Sequence, residues 1–109
     1  DISKMPDYQF AADATEIPEN GMKLVEVDEQ LVLILKVDGQ YYCIDDVCTH
    51  DGGTLCNGQL TGHAIACPRH GATFDIRNGA ALKMPATQPT GVHEIKLDDG
   101  QLLVRLNQQ

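Results

Sequence analysis

Leu31-Val32-Leu33-Ile34-Leu35-Lys36-Val37-Asp38-Gly39-Gln40-Tyr41-Tyr42-Cys43-Ile44 is one apolar run, a turn pair and a second apolar run. Leu31 to Val37 is rich in Val, Leu and Ile, and Tyr41 to Ile44 has aromatic and branched character, both of which suit strands. Asp-Gly between two such runs is a strong short-range hairpin signal. Moving upstream, Asp28-Glu29-Gln30 separates this hairpin from Met22 to Val27, which alternates in part and follows the turn Pro18-Glu19-Asn20-Gly21. Downstream, Ala64 to Ala66 and Thr73 to Ile76 read as short strands, with Asn78-Gly79 as a turn. Near the C-terminus, Val92, Glu94 and Lys96 alternate with His93, Ile95 and Leu97, and Asp98-Asp99-Gly100 turns the chain into Leu102 to Leu106. No amphipathic helix of useful length is present. The pattern predicts an all-β fold, an antiparallel β-sandwich or barrel of short strands.

Residues 47 to 91 break this rhythm, because glycine, proline, cysteine and histidine concentrate there: Asp51-Gly52-Gly53, Asn57-Gly58, Cys67-Pro68 and His70-Gly71. Met84-Pro85-Ala86-Thr87-Gln88-Pro89 closes the stretch and predicts an ordered loop, since proline fixes the backbone and removes a donor. The expectation is a single domain over 1–109, with a β scaffold at about 1–46 and 92–109 and an inserted loop-rich subdomain at about 47–91.

A chain of 109 residues suits one domain, and 42% hydrophobic with 22% charged residues is an ordinary globular composition. The run Leu31 to Leu35 falls far short of the roughly 20 apolar residues of a membrane helix. The N-terminal stretch carries no signal-peptide hydrophobic region, so a soluble cytoplasmic protein is expected. Sixteen acidic residues against eight Lys and Arg give a net charge of −8, which repels phosphate backbones and anionic lipid. Nucleic acid and membrane are therefore excluded as expected partners. The same charge suits either plain solubility or steered, transient docking on a basic patch.

The chemistry concentrates in Cys48-Thr49-His50 and Cys67-Pro68-Arg69-His70, with sixteen residues between His50 and Cys67. Each pair sets a thiolate and an imidazole on a tight loop, so two loops can clamp one metal centre. Gly52, Gly53 and Gly71 follow the pairs and let the backbone approach it. On the residues alone, alternatives stay open. Zinc accepts such a donor set, although zinc fingers run Cys, Cys, His, His and the order here alternates. Four cysteines also suffice for two disulfides, against which the adjacent histidines and the missing signal segment count. The cysteines could also be packed core residues.

The words Asp46-Val47-Cys48-Thr49-His50 and Cys67-Pro68-Arg69-His70-Gly71 resemble the Rieske proteins, and among them the Rieske ferredoxins of bacterial ring-hydroxylating dioxygenase systems. The likeness runs over nearly the whole chain. It implies the Rieske fold and one 2Fe-2S cluster, with Cys48 and Cys67 on the inner iron and His50 and His70 on the outer iron near the surface. It implies a carrier of single electrons from a flavoprotein ferredoxin reductase to a terminal oxygenase, with no catalytic residues of its own. A small Rieske-like subunit of a larger reductase, such as nitrite reductase, is the alternative. In respiratory relatives a disulfide braces the two loops; the matching positions are Gly53 and Arg69, so that brace is expected to be missing. Hydroxyl donors of those relatives fall at Ala72 and Phe74, which implies a potential at the low end of the Rieske range, about −150 mV. Cys43 is expected to be a packed strand residue and Cys56 a free loop thiol. His63 and His93 read as ordinary surface or strand histidines, and Met84 as a cover for the cluster subdomain.

Overall fold

A computed structural model describes residues 8–49, 51–69 and 71–107. Ten strands follow in order: β1 (Gln9–Asp13), β2 (Met22–Val27), β3 (Gln30–Val37), β4 (Gln40–Asp45), β5 (Gln59–Thr61), β6 (Ala64–Ala66), β7 (Thr73–Asp75), β8 (Ala81–Lys83), β9 (Val92–Asp98) and β10 (Gln101–Arg105). They form two antiparallel sheets. Six strands run β1-β10-β9-β4-β3-β2, and four run β5-β6-β7-β8. The outer strands β1 and β2 come back into contact, so the larger sheet nearly closes into a barrel.

Turn chemistry sets the register of the larger sheet. Asp38 and Gly39 both take positive φ (53° and 77°), as do Asp28 with Glu29 and Asp99 with Gly100. Two consecutive left-handed residues match the right-handed twist of the flanking strands, which is why such pairs close two-residue hairpins. Val37 consequently faces Gln40 and Ile34 faces Cys43. The chain leaves this sheet after β4 and re-enters beside it at β9, pairing Cys43 with His93 and Ile44 with Val92. Everything between the two strands is an excursion that begins and ends at one place.

β3 explains how that excursion is held. Its side chains alternate across the sheet, yet both faces are buried. Val32 and Ile34 point into the barrel with Ala12, Val27, Cys43, Leu102 and Val104. Leu33, Leu35 and Val37 point the other way, into a second cluster with Leu55, Ile65, Phe74 and Ile76 from the excursion. A strand buried on both faces reads as a continuous apolar run rather than an alternating one. Each fully buried Leu or Ile contributes roughly 1.5–3 kcal/mol, and Cys48 and Cys67 lie in this same second cluster.

Three strands were not expected. β1 is Gln-Phe-Ala-Ala-Asp, weak in strand propensity, and it forms by pairing along β10 with an irregularity between Phe10 and Ala12. β5 and β8 have three residues each and extend the β6–β7 pair on either side. The Met84–Pro85 peptide is cis. Met84 is 70% exposed and points to solvent, which corrects its expected role as a cover.

Candidate metal centre

Cys48 and Cys67 sit at the start of two loops with the same backbone hydrogen bonding. In the first, Cys48 N–H donates to Gly53 O at 2.7 Å and Gly52 N–H donates to Cys48 O at 2.7 Å. In the second, Cys67 N–H donates to Ala72 O at 2.7 Å and Gly71 N–H donates to Cys67 O at 3.1 Å. Gly52 and Gly71, each four residues past its cysteine, share φ of 75°, a left-handed conformation that glycine adopts without a Cβ clash. The equivalence is hidden in the sequence because the histidine follows two residues after Cys48 and three after Cys67.

The twin loops bring their sulfurs together. Cys48 and Cys67 are buried. Their Sγ atoms and a carboxylate oxygen of Asp51 all lie within 4.8 Å of one another. Two thiolates on one tetrahedral metal, each at about 2.3 Å, stand roughly 4 Å apart, so the pair suits one metal ion. His50 and His70 lie outside the described residues.

Three supports hold the loops in place. Asp46, buried just before the first loop, accepts the Leu55 N–H at 2.9 Å, the Cys56 N–H at 2.8 Å and the Thr54 hydroxyl at 2.5 Å. It thereby ties the start of the loop to its end. Along the outer side runs the proline-containing segment: Thr49 Oγ1 donates to Gln88 O at 2.6 Å, Thr90 Oγ1 to Val47 O at 3.1 Å and Asp45 N–H to Gly91 O at 2.8 Å. Finally, Arg69 reaches from the second loop to the first. Its Nε and Nη2 donate to Asp51 at 2.6 and 2.9 Å, and its Nη1 donates to Thr54 O at 2.9 Å. The guanidinium, followed by the Gly53 N–H, holds the Asp51 carboxyl well below the usual carboxylate range. The disulfide absent at Gly53 and Arg69 thus does not leave the loops unbraced.

Behind the second loop, Ala72 and Phe74 are fully buried and carry no hydroxyl, and the Thr73 hydroxyl donates to Gly71 O at 2.9 Å. Cys43 is buried in β4, where desolvation first and the nearby Asp45 charge second push its thiol up to about 12. Cys56 is half-buried beyond the first loop. His63 meets the Tyr42 ring edge-on at 5.7 Å.

His93 is the residue that sequence reading undervalued. Its side chain is 2% exposed, with Nε2 2.6 Å from Asp45 Oδ1 and Nδ1 accepting the Asn107 N–H at 3.0 Å. The signal was the phase it shares with Ile95 in β9, which marks an inward-facing position.

The family described as Rieske [2Fe-2S] domain matches residues 7–103. The 3-phenylpropionate/cinnamic acid dioxygenase ferredoxin subunit of Photorhabdus laumondii is 31% identical, over 92% of this chain and 95% of its own. The ferredoxin component of the naphthalene 1,2-dioxygenase system of Pseudomonas aeruginosa is 33% identical, over 84% and 88%. Among solved structures, a chain from the complex of reduced oxygenase and oxidized ferredoxin in carbazole 1,9a-dioxygenase superposes with a TM-score of 0.85. It is 28% identical, over 94% of this chain and 97% of that one.

Proposed function

The chain belongs to the Rieske 2Fe-2S domain family, and from that premise we propose that it is a low-potential carrier of single electrons from a flavoprotein ferredoxin reductase to a terminal oxygenase. The observation that carries the reading is the doubled loop, which brings two buried cysteine sulfurs within 4.8 Å of each other. Cys48 and Cys67 would hold one iron of the cluster, and His50 and His70 the other. When bound, the cluster takes up and returns one electron without making or breaking a covalent bond to a substrate. The protein's part is to keep that centre in one geometry and to set its potential.

Rigidity comes from below and from the side. Leu33, Leu35, Ile65 and Phe74 pack beneath the cysteines, while Asp46 and the Gln88–Gly91 segment fix the first loop. Small reorganisation on electron transfer is the consequence. Potential is set by donors near the sulfurs and by charge. The apolar Ala72 and Phe74 offer no hydroxyl, which favours the low end of the family's range.

The acidic surface, net −8, suits transient docking on basic partner surfaces rather than a permanent subunit contact. Reduced cysteines beyond the cluster pair, Cys43 and Cys56, suit the cytoplasm. Among the described residues no helix is long and apolar enough to cross a membrane. In this reading, residues at about 47–91 carry the cluster and the remainder of 1–109 is its scaffold.

The test is a stopped-flow relay. Oxidised protein is mixed with the NADH-reduced reductase of an aromatic-ring dioxygenase system, and the bleached product is then mixed with the oxidised oxygenase component. Reduction followed by reoxidation on turnover timescales supports the carrier. Stable co-purification with a large reductase subunit, without such a relay, supports the small-subunit alternative instead.

A further inference from the structure

Arg69 lies between the two loops in a way that neither loop's own hydrogen bonding requires. It springs from the second loop, two residues after Cys67, and makes all three of its side-chain hydrogen bonds to the first: two to Asp51 and one to Thr54 O. The Asp51 contact is bidentate, the arrangement in which a planar guanidinium gives direction as well as charge. The ends of the pair are only 34% and 23% exposed. Gly53 completes the seat. A Cβ built there would meet Arg69 Nη2 at 2.5 Å and Cζ at 2.6 Å, closer than nonbonded heavy atoms approach, so the flat guanidinium occupies the space a side chain would need. No positive φ constrains Gly53, so the guanidinium is what a Cβ there would have to displace.

We propose that Arg69 is a positioning residue of the metal centre, an ionic strap that rises from the second loop and is clasped by Asp51, Thr54 and Gly53 of the first, holding Cys48 and Cys67 at cluster-binding separation. The inference rests on the cluster assignment above. Isolated surface ion pairs contribute little because two long side chains lose entropy to meet in water. Here one partner is a short Asp side chain anchored by its own loop, since Asp51 Oδ1 also accepts the Gly53 N–H at 2.9 Å. The strap therefore joins two parts that are already ordered, and its effect falls on the distance between them. Scaffold packing is not part of it.

The experiment uses the cluster-loaded protein and a double-mutant cycle between Arg69→Gln and Gly53→Ala. Cluster loss is followed as visible absorbance decay under excess chelator. Arg69→Gln should lose its cluster on the order of threefold to tenfold faster than wild type. Gly53→Ala, which retains every charge, should do the same by displacing the guanidinium. In the Arg69→Gln background, Gly53→Ala should add little, because the group it displaces is gone. The reduced variants should show broader electron paramagnetic resonance lines, since the cysteines no longer keep one separation, and Arg69→Lys should fall between wild type and Arg69→Gln. Equal loss rates in wild type and Arg69→Gln, additive effects of the two substitutions, or variant lines as narrow as wild type would each overturn the proposal. Absence of any cluster signal in wild type would instead refute the assignment on which it rests.

Discussion

His93 Nε2 stands 2.6 Å from Asp45 Oδ1, while Nδ1 of the same ring accepts the Asn107 N–H at 3.0 Å. An accepting Nδ1 leaves Nε2 to donate to Asp45, so one ring satisfies both neighbours at once. The contact joins the end of β4, the start of β9 and the segment after β10, at the point where the chain departs for and returns from the cluster loops.

Asp45 supplies the pH dependence of this joint. His93 chiefly, and Gln30 in addition, hold its carboxyl below the ordinary 3.8, against the opposing effect of burial. A depressed folded pKa means stability that is present above the unfolded value and lost as pH falls through the folded one. Asp45→Asn should therefore destabilise by about 1–2 kcal/mol at pH 7, the low end for a charge-assisted bond because Asp45 is partly solvated. The deficit should begin to shrink below about pH 4, where the unfolded carboxyl starts to protonate, and should be gone only once the folded carboxyl, held lower, protonates as well. Thermal unfolding midpoints at the two pH values check this; a deficit that grows on acidification contradicts it.

Asp46 has a different role, since its carboxylate caps backbone donors of Leu55 and Cys56. Asp46→Ala leaves those N–H groups without acceptors in a buried setting and should cost about 2–4 kcal/mol. Asp46→Asn retains an acceptor oxygen and should cost less than half as much. Chemical denaturation of the two variants side by side measures the ratio, and equal losses would mean that charge rather than capping is what matters.

The two cysteines outside the centre should differ in reactivity. Burial, then the Asp45 charge, keeps Cys43 a thiol up to about pH 12, whereas Cys56 is half-buried. Mild alkylation of the loaded protein at pH 8 should label Cys56 first and leave the visible spectrum intact. Peptide mapping reads the order, and early labelling of Cys43 would contradict the burial argument.

Docking should respond to salt. With a net charge of −8, reduction by the partner flavoprotein should slow as ionic strength rises, because screening weakens steered encounter. A rate indifferent to salt would return the charge to a solubility feature.

Much of this was legible in the sequence, for reasons that can be located. Asp38-Gly39 and Asp98-Asp99-Gly100 declared hairpins because turn chemistry is local, and the central strands declared themselves by apolar content. β1 was silent because Gln9–Asp13 becomes a strand only by pairing with β10, an interaction with no local trace. The cysteine and histidine spacing pointed to the centre, but the identical hydrogen bonding of the two loops did not show, since their histidines sit at different offsets. Arg69 and Gly53 appeared as positions lacking a disulfide. That one fills the space above the other is a matter of three-dimensional approach, which spacing does not encode.

The most direct test is the spectrum of the purified protein and its four cysteine variants. Wild type should be coloured and, when reduced, should give a paramagnetic signal whose average g value lies below that of an all-cysteine 2Fe-2S cluster. Cys48→Ser and Cys67→Ser should each abolish both features, because the inner iron loses a thiolate. Cys43→Ser and Cys56→Ser should leave them unchanged. A colourless wild type that binds stoichiometric zinc, or bleaching by substitution of Cys43 or Cys56 rather than Cys48 or Cys67, would contradict the account.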